Sequence, residues 1–455
     1  DVVTTTHAPR TLIAQRQQQR IARLLEAARK APVYRERMGA GAGAAALGRM
    51  APVTRTELIG RFDDWVTDPA LKLGALLDFV REPARAAEPW LNRYVVWESS
   101  GTSGQPGVFV QDAQAMAVYD ALEAVRHRPP HRPVRGGWLG ALGALGALDV
   151  LGTQERHALV AATGGHFASV VAFERLRAIY PWLAASARSF SLLQPVDALV
   201  AMLNDFQPTV LATYPTAAAL LADEAAAGRL RIAPHCVMTG GEMLSPAVRQ
   251  RVQQVFGAQV RSSYGASEFL PLAWECPHGH LHVNEDWVLL EPVDQHHRPV
   301  PTGERPHTVL LTNLANLVQP LIRYDIGDRV TFTGERCVCG SALPVIEVEG
   351  RADDVLRVPS QRRGEQVSLL PLALCTVMEE ECGVFDFQLR QRGPSTLVLR
   401  VPQQGEAARA TIDRCRHALQ HFARQQGAQP IHVLGEPGCA VPRGRSGKAC
   451  RVALP

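Results

Sequence analysis

The sequence predicts an α/β protein made of two units: a large N-terminal one, residues 1–350, with parallel sheets and helices, and a small α+β one, residues 351–455. Three observations predict it. At 455 residues the chain exceeds the roughly 100–200 residues of one ordinary domain. Between residues 195 and 268 short β-type runs alternate with helices whose ends are well marked. Near residue 351 the texture changes to a charged segment, "EGRADDVLRV", followed by β-type runs, one helix and a basic tail.

Taken in order, residues 11–29 place Leu12, Ile13, Ile21, Leu24, Leu25 and Ala28 near helical spacing, the mark of an amphipathic opening helix. "TVLAT" (209–213) reads as a buried strand, and Pro215 then starts an Ala/Leu-rich helix that Gly228 closes. "HCVMT" (235–239) is a second strand. The helix in "LSPAVRQRVQQVFG" has Ser245 at its N-cap, Pro246 in its first turn and Gly257 past its end. "AQVRS" (258–262) is a third strand. Strand–helix–strand order at this spacing implies parallel strands, and open sheets of that kind bind ligands beyond the carboxyl ends of their strands. The segments leaving those ends, "YPT" (214–216), "GGE" (240–242) and "YGASE" (264–268), therefore share one edge. In the small unit "FDFQLRQ", "STLVLRVP" and "PIHVLG" are β-type runs around a helix at 406–425.

Hydrophobic residues make up 46% and charged residues 20%, with a formal charge of +4. That is ordinary for a globular chain and carries no basic block of the kind a nucleic-acid surface needs. The most membrane-like stretch, "GGWLGALGALGALDVLG", is shorter than the roughly 20 apolar residues of a span and contains Asp149; it reads as Gly-rich core. The opening residues lack the basic-then-apolar pattern of a secretory leader. Nine dispersed cysteines are not a disulfide framework. A reducing cytoplasm is the expected location, with neither membrane nor nucleic acid as partner.

"WESSGTSGQPGVFVQD" (97–112) is bare and polar. Its glycines let backbone N–H groups approach an anion, and Ser99, Ser100, Thr102 and Ser103 add small donors, as a polyphosphate requires. It is not a Walker loop, because Gly104 is followed by Gln105 and Pro106 rather than Lys-Ser/Thr. "GRSGKA", around Lys448, fails the same test in its spacing and in Ala449. Cys276 in "CPHGHLHVNED", with Cys337 and Cys339 in "RCVCGS" and one nearby histidine, can make a tetrahedral Cys₃His zinc site, with His278, His280 and His282 as rivals.

"SSGTSGQPG", "GGE", "YGASE", "YDIGD", "GRADD" and "PRGRSGKACRV" occur in the order seen in the adenylate-forming superfamily of acyl-CoA synthetases. In detail the chain resembles the phenylacetate–CoA ligase branch, over nearly its whole length. The resemblance implies an acid–thiol ligase. A substrate carboxylate attacks the α-phosphate of ATP to give an acyl-adenylate and pyrophosphate, and a thiol then takes the acyl group. The thiol is that of coenzyme A or of a carrier-protein phosphopantetheine.

It also implies roles. Ser99, Ser100, Gly101, Thr102, Ser103 and Gly104 would cradle the β- and γ-phosphates, although the commoner form of this loop ends in Pro-Lys and here Pro106 is followed by Gly107. The balancing charge must then come from Mg2+ and from elsewhere. Tyr264 would stack on adenine beside Gly265, Ser267 would meet the phosphates and Glu268 the Mg2+. Gly241 and Glu242 would border the adenine pocket. Asp328 suits the two ribose hydroxyls, and Arg351 ribose or phosphate oxygens. Asp353 matches the hinge about which a mobile small unit would pivot, and Lys448 would enter between carboxylate and α-phosphate as the catalytic cation.

His282 is the fourth zinc ligand by the resemblance, standing before the acidic pair Glu285 and Asp286, and four protein ligands make the zinc structural. His166, Phe167 and Tyr214 would line the pocket for the carboxylic acid, an aryl acid by their character. An acyl carrier protein and a homodimer are further partner expectations. A nucleotide sensor without turnover and a zinc module for nucleic acid are the rival classes. Lys448, Glu268, Asp328 and Arg351 together oppose the first, and the near-neutral charge opposes the second.

Overall fold

Five parallel strands carry the expected pattern into three dimensions. The computed structural model describes residues 1–38, 47–99, 107–127, 155–349, 355–384, 386–441 and 451–454. The first two strands, β1 (Val95–Glu98) and β2 (Val108–Gln111), form a separate antiparallel hairpin. Next come β3 (His157–Ala161), β4 (Ala187–Ser191), β5 (Val210–Thr213), β6 (Cys236–Thr239) and β7 (Gln259–Ala266). They pair in parallel in the order β4, β3, β5, β6, β7, with Thr213 beside Thr239 and Thr239 beside Ser262. The helices that cross from β5 to β6 and from β6 to β7 are Pro215–Ala226 and Pro246–Phe256. In the second, the Ser245 side chain accepts from Val248 N at 3.2 Å, and Gly257 takes the left-handed conformation at the other end (φ 63°), as its sequence requires.

The sheet does not stop at β7. Strands β8 (Phe269–Glu275) and β9 (Leu281–Val283) continue it antiparallel. Three further strands, β10 (Val288–Val293), β11 (Thr308–Asn313) and β12 (Tyr324–Asp325), make a sheet of their own. The outer strands β13 (Arg329–Phe332) and β14 (Val345–Glu349) then complete a nine-stranded mixed sheet. The reversal at β7–β8 is a tight turn at Ser267–Glu268, which leaves those side chains at the carboxyl end of β7.

The Arg10–Ala28 helix buries Ile13, Ile21, Leu24, Leu25 and Ala28, the stripe its periodicity predicts. Its polar anchor was not predicted. Arg126 binds Asp286 through two oxygens at 2.8 and 3.0 Å, with Asn284 and Thr5 completing the group, and both charged side chains are fully buried. Arg20 stacks over Trp287 at 3.4 Å. Such a pair holds only because nearly every donor and lone pair is used.

Beyond residue 355 strands β15 (Leu356–Pro359) and β16 (Gln366–Leu369) pair with each other. Strands β17 (Gln388–Gly393), β18 (Thr396–Val401), β19 (His432–Pro437) and β20 (Val452–Ala453) form a four-stranded sheet, against which the Gly405–Gln425 helix packs. One apolar cluster runs without a break from Leu211, Leu221 and Val237 of the parallel sheet layer to Leu374, Leu389, Leu399 and Leu419. Gln426 Nε2 also donates to Leu193 O and Gln194 O at 3.1 and 2.7 Å. No helix among the described residues is long and apolar enough to cross a membrane. The Gly-rich stretch 136–152 lies outside the described residues.

Candidate functional site

The carboxyl ends of β5, β6 and β7 form the rim that the three small-residue segments were expected to share. They are tied together there. Glu242 accepts from Thr216 N and Thr216 Oγ1, both at 3.0 Å, so "GGE" caps the helix that leaves "YPT". Gly241 is left-handed (φ 78°) and lies against the Tyr214 ring. A side chain at Gly265 would put Cβ 2.1 Å from Leu270 O; only glycine lets β7 turn into β8 at this point.

Two hydrogen bonds then join motifs about 60 residues apart. Tyr264 OH donates to Asp328 Oδ2 at 2.9 Å, and Tyr324 OH donates to Glu268 Oε1 at 2.9 Å. Tyr324 is buried and Tyr264 half-buried, and loss of solvent followed by the neighbouring carboxylate raises each phenol far above the usual tyrosine value. They are permanent donors to the two carboxylates. A carboxylate can accept several hydrogen bonds at once, which suits hydroxyls or a cation. Tyr324 is the first letter of "YDIGD" and went unassigned in the sequence, where only the final aspartate had a chemical reason.

The neck of the Gly/Ser loop reaches the same place. Ser99 N donates to Gly107 O at 2.9 Å, and Gly107 N donates to Ser99 Oγ at 3.1 Å, closing the β1–β2 hairpin. Trp97 Nε1 donates to Ser267 O at 2.8 Å, so the loop neck and the Ser267–Glu268 turn are held side by side. Ser100, Gly101, Thr102, Ser103, Gly104, Arg351, Asp353 and Lys448 lie outside the described residues.

Of the three acid-pocket candidates, Phe167 and Tyr214 meet in one apolar cluster with Leu159, Ala161 and Val170. His166 is engaged elsewhere. Its Nε2 lies 2.8 Å from Glu82 O and its ring meets Phe79 edge-on at 5.2 Å. The backbone is extended at Phe167, so adjacent side chains point to opposite sides. Burial also lowers the His166 pKa, which keeps it a neutral core group.

A second site lies at the far end of β8 and β9. The ligand atoms of Cys276, His282, Cys337 and Cys339 all fall within 4.8 Å of one another. Tetrahedral zinc with Zn–S about 2.3 Å and Zn–N about 2.0–2.1 Å separates sulfurs by about 3.8 Å and sulfur from nitrogen by about 3.5 Å. Here Cys276 Sγ is 3.6 Å from Cys337 Sγ, and Cys339 Sγ is 3.4 Å from His282 Nε2. His282 Nδ1 sits 2.9 Å from Leu343 O; donating there leaves Nε2 as the free lone pair, the arrangement a metal-binding imidazole uses. The donor set fits a zinc ion. His280 approaches Cys337 Sγ at 3.2 Å but is solvent-exposed.

The family described as AMP-binding enzyme matches residues 151–304. A phenylacetate-coenzyme A ligase of Thermus thermophilus is 30% identical over 166 residues, 34% of this chain and 37% of that protein. Protein CapK of Staphylococcus aureus is 27% identical over 159 residues, 34% of each. The chain thus spans about a third of the length of these curated relatives. A 2-hydroxyisobutyryl-CoA ligase, solved with 2-HIB-AMP and CoA, superposes with a TM-score of 0.61 at 20% identity, over 99% of this chain and 91% of that one. The same ligase in its postadenylation state gives 0.57 over 98% and 90%. These likenesses are to the fold.

Proposed function

We propose that the chain belongs to the adenylate-forming superfamily and is an AMP-forming acid–thiol ligase, in which ATP activates a carboxylic acid that is then passed to coenzyme A. The observation that carries this reading is the convergence of Tyr264, Asp328, Glu268 and Tyr324 beside the Ser99–Gly107 neck, at the carboxyl ends of parallel strands.

In the first step a carboxylate oxygen bonds to the α-phosphorus and the bond to pyrophosphate breaks. In the second the thiol sulfur bonds to the acyl carbon, AMP leaves with the carbon–oxygen bond electrons, and the thiol proton is lost. Neither step needs a covalent enzyme intermediate, so the protein's work is positioning and charge. Asp328 would accept the ribose hydroxyls, its geometry held by Tyr264, whose ring face adenine would cover. Glu268, fixed by Tyr324, would face the Mg2+ that neutralises the phosphates, with Ser267 and the loop hydroxyls as donors. Gly241 and Glu242 would border the base. Arg351 would reach ribose or phosphate, and Lys448 would enter as the small unit, 351–455, turns about Asp353.

Zinc held by Cys276, His282, Cys337 and Cys339 would be structural, leaving no open coordination position. The cluster of Phe167 and Tyr214 supports an aryl acid, and the absence of disulfides among the described cysteines suits a reducing cytoplasm. The test is pyrophosphate release from MgATP with a panel of aryl and aliphatic carboxylic acids. Acid-dependent release, followed by coenzyme A-dependent release of AMP, is expected; no release with any acid, from protein that is folded, rejects the reading.

A further inference from the structure

The loop that should hold the nucleotide phosphates has no lysine of its own, and the structure puts another cation against it. Arg55 opens the short helix Arg55–Gly60. Its place is set by the preceding chain. Val53 bridges to Tyr324, through Val53 N to Arg323 O at 3.0 Å and Asp325 N to Val53 O at 2.9 Å. The guanidinium therefore leaves the backbone next to Tyr324, whose hydroxyl is bonded to Glu268, and its charge is felt by that phenol.

The other end of the Arg55 side chain reaches the loop neck. A Cβ built on Gly107 would lie 2.8 Å from Arg55 Nη2 and 3.0 Å from Arg55 Nε. Position 107 is bare because the guanidinium fills the space a side chain there would take. Arg55 Nε and Nη2 are both shut off from solvent, and neither has a hydrogen-bond partner among the described residues. A guanidinium never gives up its charge, and a buried donor without a partner is costly. Buried unpaired cationic donors between a Gly/Ser loop neck and a carboxylate suited to a cation call for an anion with several oxygens.

We propose that Arg55 is a phosphate-binding residue of the nucleotide site, supplying from a distant segment the cation that the loop lacks at Gly107. This rests on the reading that MgATP binds beside that loop. Arginine suits the place better than lysine, because its planar fork presents two donors to a phosphate at once.

Calorimetric titration of wild type, Arg55→Lys and Arg55→Met with MgATP and, separately, with adenosine tests it, with thermal melts to show that each is folded. Arg55→Met should weaken MgATP about ten- to hundredfold while adenosine binding stays within about twofold, and Arg55→Lys should recover part of the loss. Equal loss for both ligands would make Arg55 a packing residue, and unchanged MgATP affinity would leave it no phosphate role; either overturns the proposal. Should Arg55→Met not fold, Gly107→Ala is read in its place. Its new methyl would displace the guanidinium and produce the same phosphate-selective loss, and normal MgATP affinity there overturns the proposal. A wild type that binds no MgATP removes the proposed function instead, and the role of Arg55 with it.

Discussion

Asp328 and Tyr264 illustrate how a site side chain is held by what it touches. Asp328 in "YDIGD" follows a glycine, where a turn aspartate is the ordinary reading, and its 2.9 Å contact with Tyr264 ties it to the rim of the parallel strands. The pair makes a residue-scale prediction. Asp328→Ala removes charge-assisted acceptors and should weaken ATP binding by about 1.5–3 kcal/mol, one to two decades, while affinity for the free acid barely changes. Tyr264→Phe keeps both the ring face and the carboxylate, so its loss should be smaller, about 0.5–1.5 kcal/mol. Calorimetric titration with ATP and acid separately checks both; an unaltered ATP affinity in Asp328→Ala would return the residue to a plain turn.

Among the elements, the β8–β9 hairpin and the "RCVCGS" segment before β14 depend on each other through the cysteine and histidine cluster. Cys276 and His282 come from the hairpin, Cys337 and Cys339 from about 60 residues on, and Val345 pairs with His282 in the sheet. The cluster packs with Trp274, whose ring stacks on His282 at 5.2 Å. Metal would thus cross-link two elements that otherwise share a short ladder. Elemental analysis of the purified protein should find close to one zinc per chain. Cys337→Ser should lose it and melt at a lower temperature, with its thermal midpoint no longer responsive to a chelator. Wild-type protein that is metal-free and of unchanged stability would exclude the site.

At the scale of the whole molecule, an acidic contact between the buried Glu98 and the more exposed Glu380 links the loop neck to the C-terminal residues. A methyl on Gly165 would lie 3.1 Å from Oε1 of both Glu98 and Glu380, so the two carboxyls flank that glycine. Glu380 lies on the π-turn Val377–Glu381, whose Glu379 is engaged with Arg451; His166 N donates to Glu98 at 3.1 Å. Burial first, and then neighbouring carboxylates, push Glu98 up to about 7 and Glu380 up to about 8, from an ordinary 4.5. Both are raised carboxyls, so the folded chain holds protons that the unfolded chain has released. The contribution of these two groups to stability therefore falls as pH rises from about 4.5 to about 8, the more exposed Glu380 adding the smaller part, and the penalty is absent below that window. Glu380→Gln should flatten the decline and raise the thermal midpoint at pH 8 relative to wild type, with little change at pH 5. Parallel melting curves at pH 5, 6.5 and 8 would test it, and an unchanged slope would show that the two acids are solvated.

Much of this was legible in order along the chain. The β5–β7 strands and their helices were marked by local signals, an N-cap serine, a first-turn proline, a terminal glycine, and these act within a few residues. The rim they create, and the motifs standing on it, followed from the parallel topology that such spacing forces. Local signals carry no information about partners far away. Arg55 in "PVTRTEL" has nothing around it to suggest a place against Gly107, and the pairing of Tyr324 with Glu268, of Arg126 with Asp286 and of Glu98 with Glu380 depends on how layers stack. The extended backbone beside Phe167 likewise decided that His166 turns toward Glu82 and Phe79. Periodicity determined which faces are apolar; only the packed fold decided which buried polar groups meet, because the cost of leaving a charge or donor unpaired is set by neighbours that the chain brings together from distant segments.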